Sequence, residues 1–273
     1  MEETEELVDF YVHRPIARPI ARALQPTRIT PNAVTIAGGA LGVLAAVALW
    51  NGADRPPLRL AAAGLLFASV VLDCTDGQLA RLRNQASRAG VILDGIIDVI
   101  VGFSVILTAT SVLARAYPGW RMWILGAVAM ASSEAQCFLF DVAKERYVTA
   151  RRIAYAPSKL QMSERLREEH RPQQSTPGEH SLMIGLFDRY AALVARIAGT
   201  TDGADGPTLP PLTSRHIRGW ATMGVGTHFA LLYSAAAISY LWLPALLVCL
   251  LIFSSAMNVV LVTLLWARPM NLG

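Results

Sequence analysis

Two apolar segments that carry aspartates decide the fold of this chain. They read Leu72-Asp73-Cys74-Thr75-Asp76-Gly77-Gln78-Leu79-Ala80-Arg81 and Gly90-Val91-Ile92-Leu93-Asp94-Gly95-Ile96-Ile97-Asp98. A carboxylate near the centre of a bilayer costs roughly 2.5–3.5 kcal/mol on insertion scales, so such residues normally face a water-filled cavity or a counter-charge. The four aspartates of these segments are therefore expected to face the protein interior and not the lipid.

The rest of the chain is as apolar as these two segments. Of its 273 residues 53% are hydrophobic and 16% are charged, whereas a soluble domain carries about 25% charged residues. This composition excludes a disordered chain and an ordinary soluble enzyme, and the continuous apolar runs exclude an outer-membrane barrel. We predict an all-α polytopic membrane protein whose six transmembrane helices cover about residues 32–50, 57–83, 87–113, 119–143, 214–238 and 240–266.

An amphipathic helix is predicted to precede the first span. Apolar residues between positions 7 and 26 share one helical stripe, and Arg14, Arg18 and Arg22 share another, which is typical of a helix lying in the membrane interface. Thr30-Pro31-Asn32 then predicts a helix start. The predicted organisation is an N-terminal region over residues 1–31, a membrane domain over 32–266 and a tail over 267–273.

Arginine is distributed unevenly among the connections. The N-terminal region, the turn after Arg81 and the long connection over residues 144–213 are rich in arginine, whereas the loops on the opposite side hold few basic residues. The positive-inside rule therefore puts both termini and the long connection in the cytoplasm. Within that connection, apolar residues at helical spacing over 183–197 predict a second interfacial helix. The net charge of +4 suits anionic lipids or phosphorylated substrates, and the chain has no nucleic-acid-binding motif.

The spacing of the aspartates predicts where they meet. Asp73 and Asp76 share one face of the second span, and Asp94 and Asp98 share one face of the third. Because a tight turn near residue 85 makes the two spans antiparallel, Asp76 and Asp94 each lie about 13 Å from that turn. The other two lie about 18–20 Å from it on the same rise per residue. Asp76 is therefore expected to lie opposite Asp94, and Asp73 opposite Asp98.

Carboxylates held this closely cannot all stay ionised without a compensating charge. Oxygen ligands without Cys or His favour a hard divalent cation, Mg²⁺ or Mn²⁺, and two such ions would cancel the charge of the cluster. Two other interpretations are a structural polar cluster and the ion path of a cation or proton transporter.

The residues from Asp73 to Asp98 follow the pattern D-x2-D-G-x2-A-R-x8-G-x3-D-x3-D. This pattern resembles the signature of the CDP-alcohol phosphotransferases, integral-membrane enzymes of phospholipid biosynthesis. The likeness extends to Thr30-Pro31-Asn32 and to the six-span layout, but not to the 144–213 connection. A prenyl-transferring enzyme would carry two separated aspartate motifs on more helices.

The resemblance implies metal-dependent transfer of a substituted phosphoryl group, commonly phosphatidyl, from a CDP-alcohol such as CDP-diacylglycerol to an acceptor alcohol, with release of CMP. It implies that Asp73, Asp76 and Asp94 are metal ligands. Asp98 is implied to be the general base, and it can also contact a metal. The residues implied to bind the nucleotide are Asn32, Gly77, Ala80, Arg81 and Gly90. For each of these five, a role in capping, helix packing or anchoring remains an alternative.

Lys144, Arg146 and Arg151 follow the fourth span, where they can contact either anionic lipids or a phosphate on the acceptor. The sequence identifies neither the acceptor nor whether the donor is a lipid or a soluble CDP-polyol. A homodimer is an expectation from the family. A bacterial inner membrane, with the active site on its cytoplasmic side, is the expected location.

Overall fold

The computed structural model describes residues 4–150, 189 and 214–266, and every regular element in them is helical. A π-helical turn, Asp9–His13, leads into α1 (Arg14–Leu24), which is followed by α2 (Pro31–Asn51), α3 (Pro57–Leu82), α4 (Arg88–Ala116) and α5 (Trp120–Ala150). After the gap come α6 (Ser214–Trp220), a 3₁₀ turn (Ala221–Met223), α7 (Val225–Ile238), α8 (Pro244–Leu251), a π-helical turn (Ile252–Ala256) and α9 (Met257–Trp266).

These helices make the chain a polytopic membrane protein, as predicted. Among the described residues, five helical stretches are long and apolar enough to cross a bilayer: α2, α3, Gly90–Ala116, Trp120–Tyr147 and Pro244–Trp266. The pair Ser214–Met223 and Val225–Ile238 makes a sixth if it is taken as one span, although it bends by 43°. The predicted interfacial helix over 183–197, apart from residue 189, and Arg151 lie outside the described residues.

The centre of the bundle is formed by α2, α3 and α4, and α2 packs most extensively against α3. Three glycines of α2 allow this close approach. A Cβ atom on Gly39 would lie 2.7 Å from a methyl carbon of Ile97, and one on Gly42 would lie 2.5 Å from a methyl carbon of Val101. At Gly38 the carbonyl accepts a hydrogen bond of 2.7 Å from Ser69 Oγ. The glycines thus bring α2 against both aspartate-bearing helices.

The turn between α3 and α4 fixes the register of these two helices. Asn84 adopts a φ of 52°, a left-handed conformation that asparagine tolerates better than most residues. Ser87 then caps α4, because its Oγ accepts a hydrogen bond of 3.0 Å from the amide of Gly90.

The N-terminal helix α1 packs on α3 through Ala17 and Ala21, which are both fully buried. Its C-terminal end is fastened by Arg83, which follows α3. The Arg83 guanidinium donates hydrogen bonds to the carbonyls of Gln25 (3.1 Å) and Ile29 (2.6 Å), and to those of Leu24 and Thr27. The sequence indicated only a basic residue in a turn at this position, whereas the structure assigns it to holding α1.

Buried polar residues connect the second half of the bundle. Gln136 of α5 donates hydrogen bonds to Asn258 Oδ1 (2.8 Å) and to the Phe253 carbonyl (3.0 Å), and its own oxygen lies 2.9 Å from His228 Nε2. Each of these side chains is therefore satisfied by a neighbouring helix.

Gly42→Ala should destabilise the protein by about 1–3 kcal/mol, because the β-branched Val101 has little freedom to move away from the added methyl group. Gly64→Ala is the matched control, since a Cβ at Gly64 meets nothing within 4 Å. Thermal unfolding in detergent measures both variants. Equal stability of the two variants would show that α2 does not approach α4 this closely.

Candidate functional site

Aspartates of α3 and α4 converge within the bundle. The carboxylates of Asp73, Asp76 and Asp94 each offer an oxygen, and these oxygen atoms lie within 4.8 Å of one another. Asp76 is buried, with 7% of its surface exposed, whereas the other two are half-buried. The spacing argument predicted that Asp76 and Asp94 would meet, and the structure brings Asp73 to them as well.

One carboxylate oxygen of this cluster is in surroundings that fit a metal ion. Asp76 Oδ2 is buried and has no hydrogen-bond partner among the described residues. A buried carboxylate oxygen without a partner is costly, and neighbouring carboxylates increase the cost by repulsion. A divalent cation removes both penalties, and an all-oxygen donor set suits Mg²⁺ or Mn²⁺. The residues present therefore fit such an ion.

Asp98 lies one helical turn beyond Asp94 and is not part of the group of three. It lines a narrow cavity together with Asp73, Thr35 and Phe229. The structure therefore places Asp98 in the wall of a cavity that Asp73 also lines.

A larger cavity of about 220 Å³ opens over Asp76 and Asp94. All five residues predicted to bind the nucleotide line it, and so does Lys144 of α5; the five are Asn32, Gly77, Ala80, Arg81 and Gly90. The structure thus gathers side chains from α2, α3, α4 and α5 around one space. Their roles toward a ligand remain predictions.

The glycines that line this cavity leave space where a side chain would otherwise project into it. A Cβ on Gly90 would lie 3.1 Å from Asn32 Oδ1, so the first turns of α2 and α4 meet here. At Gly77 a Cβ would find nothing closer than the guanidinium of Arg81, at 3.7 Å. A ligand can therefore approach the backbone of α3 directly beneath the Arg81 guanidinium.

The basic residues after the fourth span differ in whether they line this cavity. Lys144 lines the cavity, whereas Arg146 lies half-buried on the same helix and is not among the lining residues. Of the three predicted acceptor-phosphate residues, only Lys144 is thus placed at the cavity, and Arg151 is outside the described residues.

The segment before α1 also flanks the site, which sequence reasoning did not predict. Glu6 Oε2 accepts hydrogen bonds from the amide (2.8 Å) and the hydroxyl (3.2 Å) of Thr227, in the first turn of α7. His13 is fully buried, and its ring nitrogens lie 2.7 Å from Asp9 Oδ1 and 3.2 Å from the Tyr233 hydroxyl. The spacing of Asp9 and His13, four residues apart, was the one available signal.

The environment of Glu6 favours its protonated form. Burial and, to a smaller extent, the nearby Asp9 raise the pKa of Glu6 to about 8, against the opposing effect of the Thr227 and Gly226 amides and the charge of Lys144. Because Lys144 also lines the cavity, the N-terminal segment is electrostatically connected to the site.

The comparisons with known proteins concern the same part of the chain. Residues 28–163 match the model of the CDP-alcohol phosphatidyltransferase family. The chain is also similar to the "Inner membrane protein YnjF" of Escherichia coli (strain K12), with 32% identity over 123 residues. That match covers 43% of this chain and 57% of the relative, so it spans a little over half of the relative's length.

The fold should lose stability as the pH rises from about 5 to about 8 and then level off. Between the ordinary glutamate pKa of 4.5 and the raised value of about 8, folded Glu6 holds a proton that the unfolded chain releases. Folding is therefore progressively disfavoured over this window. Glu6→Gln should flatten the decline, and thermal unfolding measured against pH tests this.

Asp54→Asn serves as the control, because that carboxylate is 83% exposed and should leave the pH dependence unchanged. An unaltered pH dependence in Glu6→Gln would show that Glu6 is not the responsible group.

Proposed function

The chain belongs to the CDP-alcohol phosphatidyltransferase family, and on that premise we propose that it transfers a substituted phosphoryl group, phosphatidyl above all, from a CDP-alcohol to an acceptor alcohol and releases CMP. The observation that carries this proposal is the convergence of Asp73, Asp76 and Asp94 beneath an open cavity, with a buried oxygen of Asp76 left without a partner. Transfer would take place in the membrane domain over residues 32–266.

Three aspartates are proposed to hold the metal. Asp73, Asp76 and Asp94 would bind Mg²⁺ or Mn²⁺, and Asp98, which lines a cavity together with Asp73, would help to hold a second ion. A bound ion supplies positive charge that offsets the charge developing on the phosphoryl oxygens and on the CMP leaving group.

The other residues of the cavity are proposed to hold the donor. The Arg81 guanidinium would donate hydrogen bonds to a diphosphate oxygen lying over Gly77, since charge-assisted bonds from arginine suit phosphate. Asn32 would contact the nucleotide at the first turn of α2. The small side chains of Ala80 and Gly90 leave the space that the nucleotide needs.

Asp98 is proposed to be the general base. Its carboxylate would accept the proton of the acceptor hydroxyl while the acceptor oxygen forms a bond to the phosphorus that carries the donor alcohol. The bond between that phosphorus and the oxygen bridging to CMP breaks, and CMP leaves with its electron pair. The position of Asp98 beside Asp73, outside the group of three, supports a role different from that of the ligands.

The relative named as an inner membrane protein and the apolar helices support an integral membrane location. We extend this to a bacterial inner membrane, with both termini and the cavity on the cytoplasmic side. That side supplies soluble acceptors and receives CMP.

Purified protein with Mg²⁺ and CDP-diacylglycerol or a CDP-polyol should release CMP when a panel of alcohols includes the correct acceptor. Asp98→Asn should lower the rate by about 10²–10⁴-fold, the usual contribution of a general base, and should retain CDP binding. Mass spectrometry of the product identifies donor and acceptor.

Asp54→Asn is the matched control and should keep full activity, since this exposed carboxylate lies far from the cluster in the connection before α3. Undiminished turnover in Asp98→Asn would remove the base assignment. Ion flux into proteoliposomes without any CMP release would favour a transporter instead.

A further inference from the structure

A second group of side chains with metal-binding chemistry lies between the N-terminal segment and α3. It consists of Asp9 and His13 of the N-terminal π-helical turn and Cys74 of α3, and each offers one donor atom within 4.8 Å of the other two. A carboxylate oxygen, an imidazole nitrogen and a sulfur atom are the donors that bind zinc in proteins. The chemistry of this group therefore differs from that of the all-oxygen aspartate cluster.

The π-helical turn presents Asp9 and His13 side by side. The amide of Arg14 donates a hydrogen bond to the Asp9 carbonyl, five residues earlier, and single turns of this kind occur frequently at functional sites. Asp9 Oδ1 lies 2.7 Å from His13 Nδ1. His13 is fully buried, whereas the Asp9 side chain is 20% exposed. An ion can therefore reach the group from the side of Asp9.

The surroundings of His13 suit a histidine that binds a metal. Its Nε2 atom lies 3.2 Å from the Tyr233 hydroxyl, and the rings of Phe67 and Tyr233 pack against it with centroid distances of 5.9 Å and 6.0 Å. A histidine that holds a metal through one ring nitrogen almost always donates a hydrogen bond from the other. With Nδ1 on an ion, the Nε2 hydrogen points to the Tyr233 hydroxyl.

A glycine of α7 makes room for the carboxylate of this group. A Cβ atom on Gly226 would overlap Asp9 Oδ1. A larger residue at this position would therefore push Asp9 away from its place beside His13. The N-terminal segment, α3 and α7 thus meet at the group, although they lie far apart in the sequence.

The charges and positions of the three side chains fit one ion that is separate from the aspartate cluster. Adjacent residues of a helix point about 100° apart, so Cys74 and its neighbour Asp73 face different sides of α3. As the Cys74 sulfur bonds to a divalent ion, its thiol proton passes to the solvent. The carboxylate and the thiolate then cancel the charge of the ion, and a neutral site avoids the cost of a buried net charge.

We propose that Asp9, His13 and Cys74 bind one Zn²⁺ ion, which fastens the N-terminal segment to α3. The three side chains supply three ligands of a tetrahedral site, and water supplies the fourth. Donor atoms around zinc lie about 3.3–3.8 Å apart at the usual bond lengths, so small side-chain movements within this group are sufficient. The site goes beyond the proposed transfer and does not depend on it.

Co²⁺, which can replace zinc and absorbs light, tests this site in the purified full chain in detergent with excess Mg²⁺. Co²⁺ should produce a sulfur-to-cobalt charge-transfer band that saturates at one ion per chain, and Zn²⁺ should displace it. This band requires a cysteine ligand, so Co²⁺ bound only to aspartates does not give it. Cys74→Ser should abolish the band.

The matched control removes the other cysteines. The chain has three cysteines, and a variant with Cys137→Ser and Cys249→Ala keeps Cys74 alone. Cys137 is half-buried, as Cys74 is. The control variant should retain the full band. This result identifies Cys74 as the ligand even if Cys74→Ser does not fold.

Tyr233→Phe tests the hydrogen bond that positions His13. It should raise the dissociation constant for Zn²⁺, measured by competition with Co²⁺, by about 10–100-fold, the usual effect of losing such a partner. Phenylalanine keeps the aromatic ring that contacts Phe67, so the packing is retained. Tyr240→Phe, at an exposed tyrosine that follows α7, should leave the affinity unchanged.

The proposal is overturned if the wild-type chain gives no sulfur-to-cobalt band, if Cys74→Ser retains the band, or if the variant with Cys74 alone loses it. Asp9 and His13 would then be only a hydrogen-bonded pair that holds the N-terminal segment. No step of this measurement involves turnover, so absence of CMP release with the band intact counts against the proposed transfer alone.

Discussion

Mutual repulsion among carboxylates inside the membrane is the constraint on which the rest of this structure depends. Asp73, Asp76 and Asp94 lie so close together that an oxygen of each falls within 4.8 Å of the others, and an arrangement of this kind is stable only with a compensating positive charge. Their positions follow from the antiparallel register of α3 and α4, which is set by the left-handed Asn84 and the Ser87 cap. The glycines of α2 then bring a third helix against both.

Side-chain periodicity explains why so much of this site could be predicted from the sequence. Helical spacing assigns each aspartate to a face, and a short turn leaves one register in which those faces meet, so local geometry was sufficient. The spans were predictable for the same reason, because a bilayer fixes the length of an apolar helix. The hydrogen bonds of Gln136 follow the general rule that buried polar groups find partners.

Contacts between distant parts of the chain were not predictable in this way. Glu6 meets Thr227, more than two hundred residues later, and Arg83 holds the end of α1 through backbone carbonyls that carry no sequence signal. Arg59, near the start of the second predicted span, is buried and donates hydrogen bonds to the carbonyls of Gly52 (2.6 Å) and Ser239 (2.9 Å). A charge count treats every arginine alike, whereas the structure separates structural arginines from those lining a cavity. Arg81, by contrast, lines the cavity over the aspartates.

The most direct test of the account is crystallographic. Crystals of the protein soaked in Mn²⁺ and measured at a wavelength with manganese anomalous signal would locate the ion without any assumption about substrate. The account predicts anomalous density within about 2.0–2.6 Å of carboxylate oxygens of Asp73, Asp76 and Asp94, the range for hard cations and oxygen ligands. Manganese bound elsewhere, or aspartate side chains turned away from one another, would contradict it.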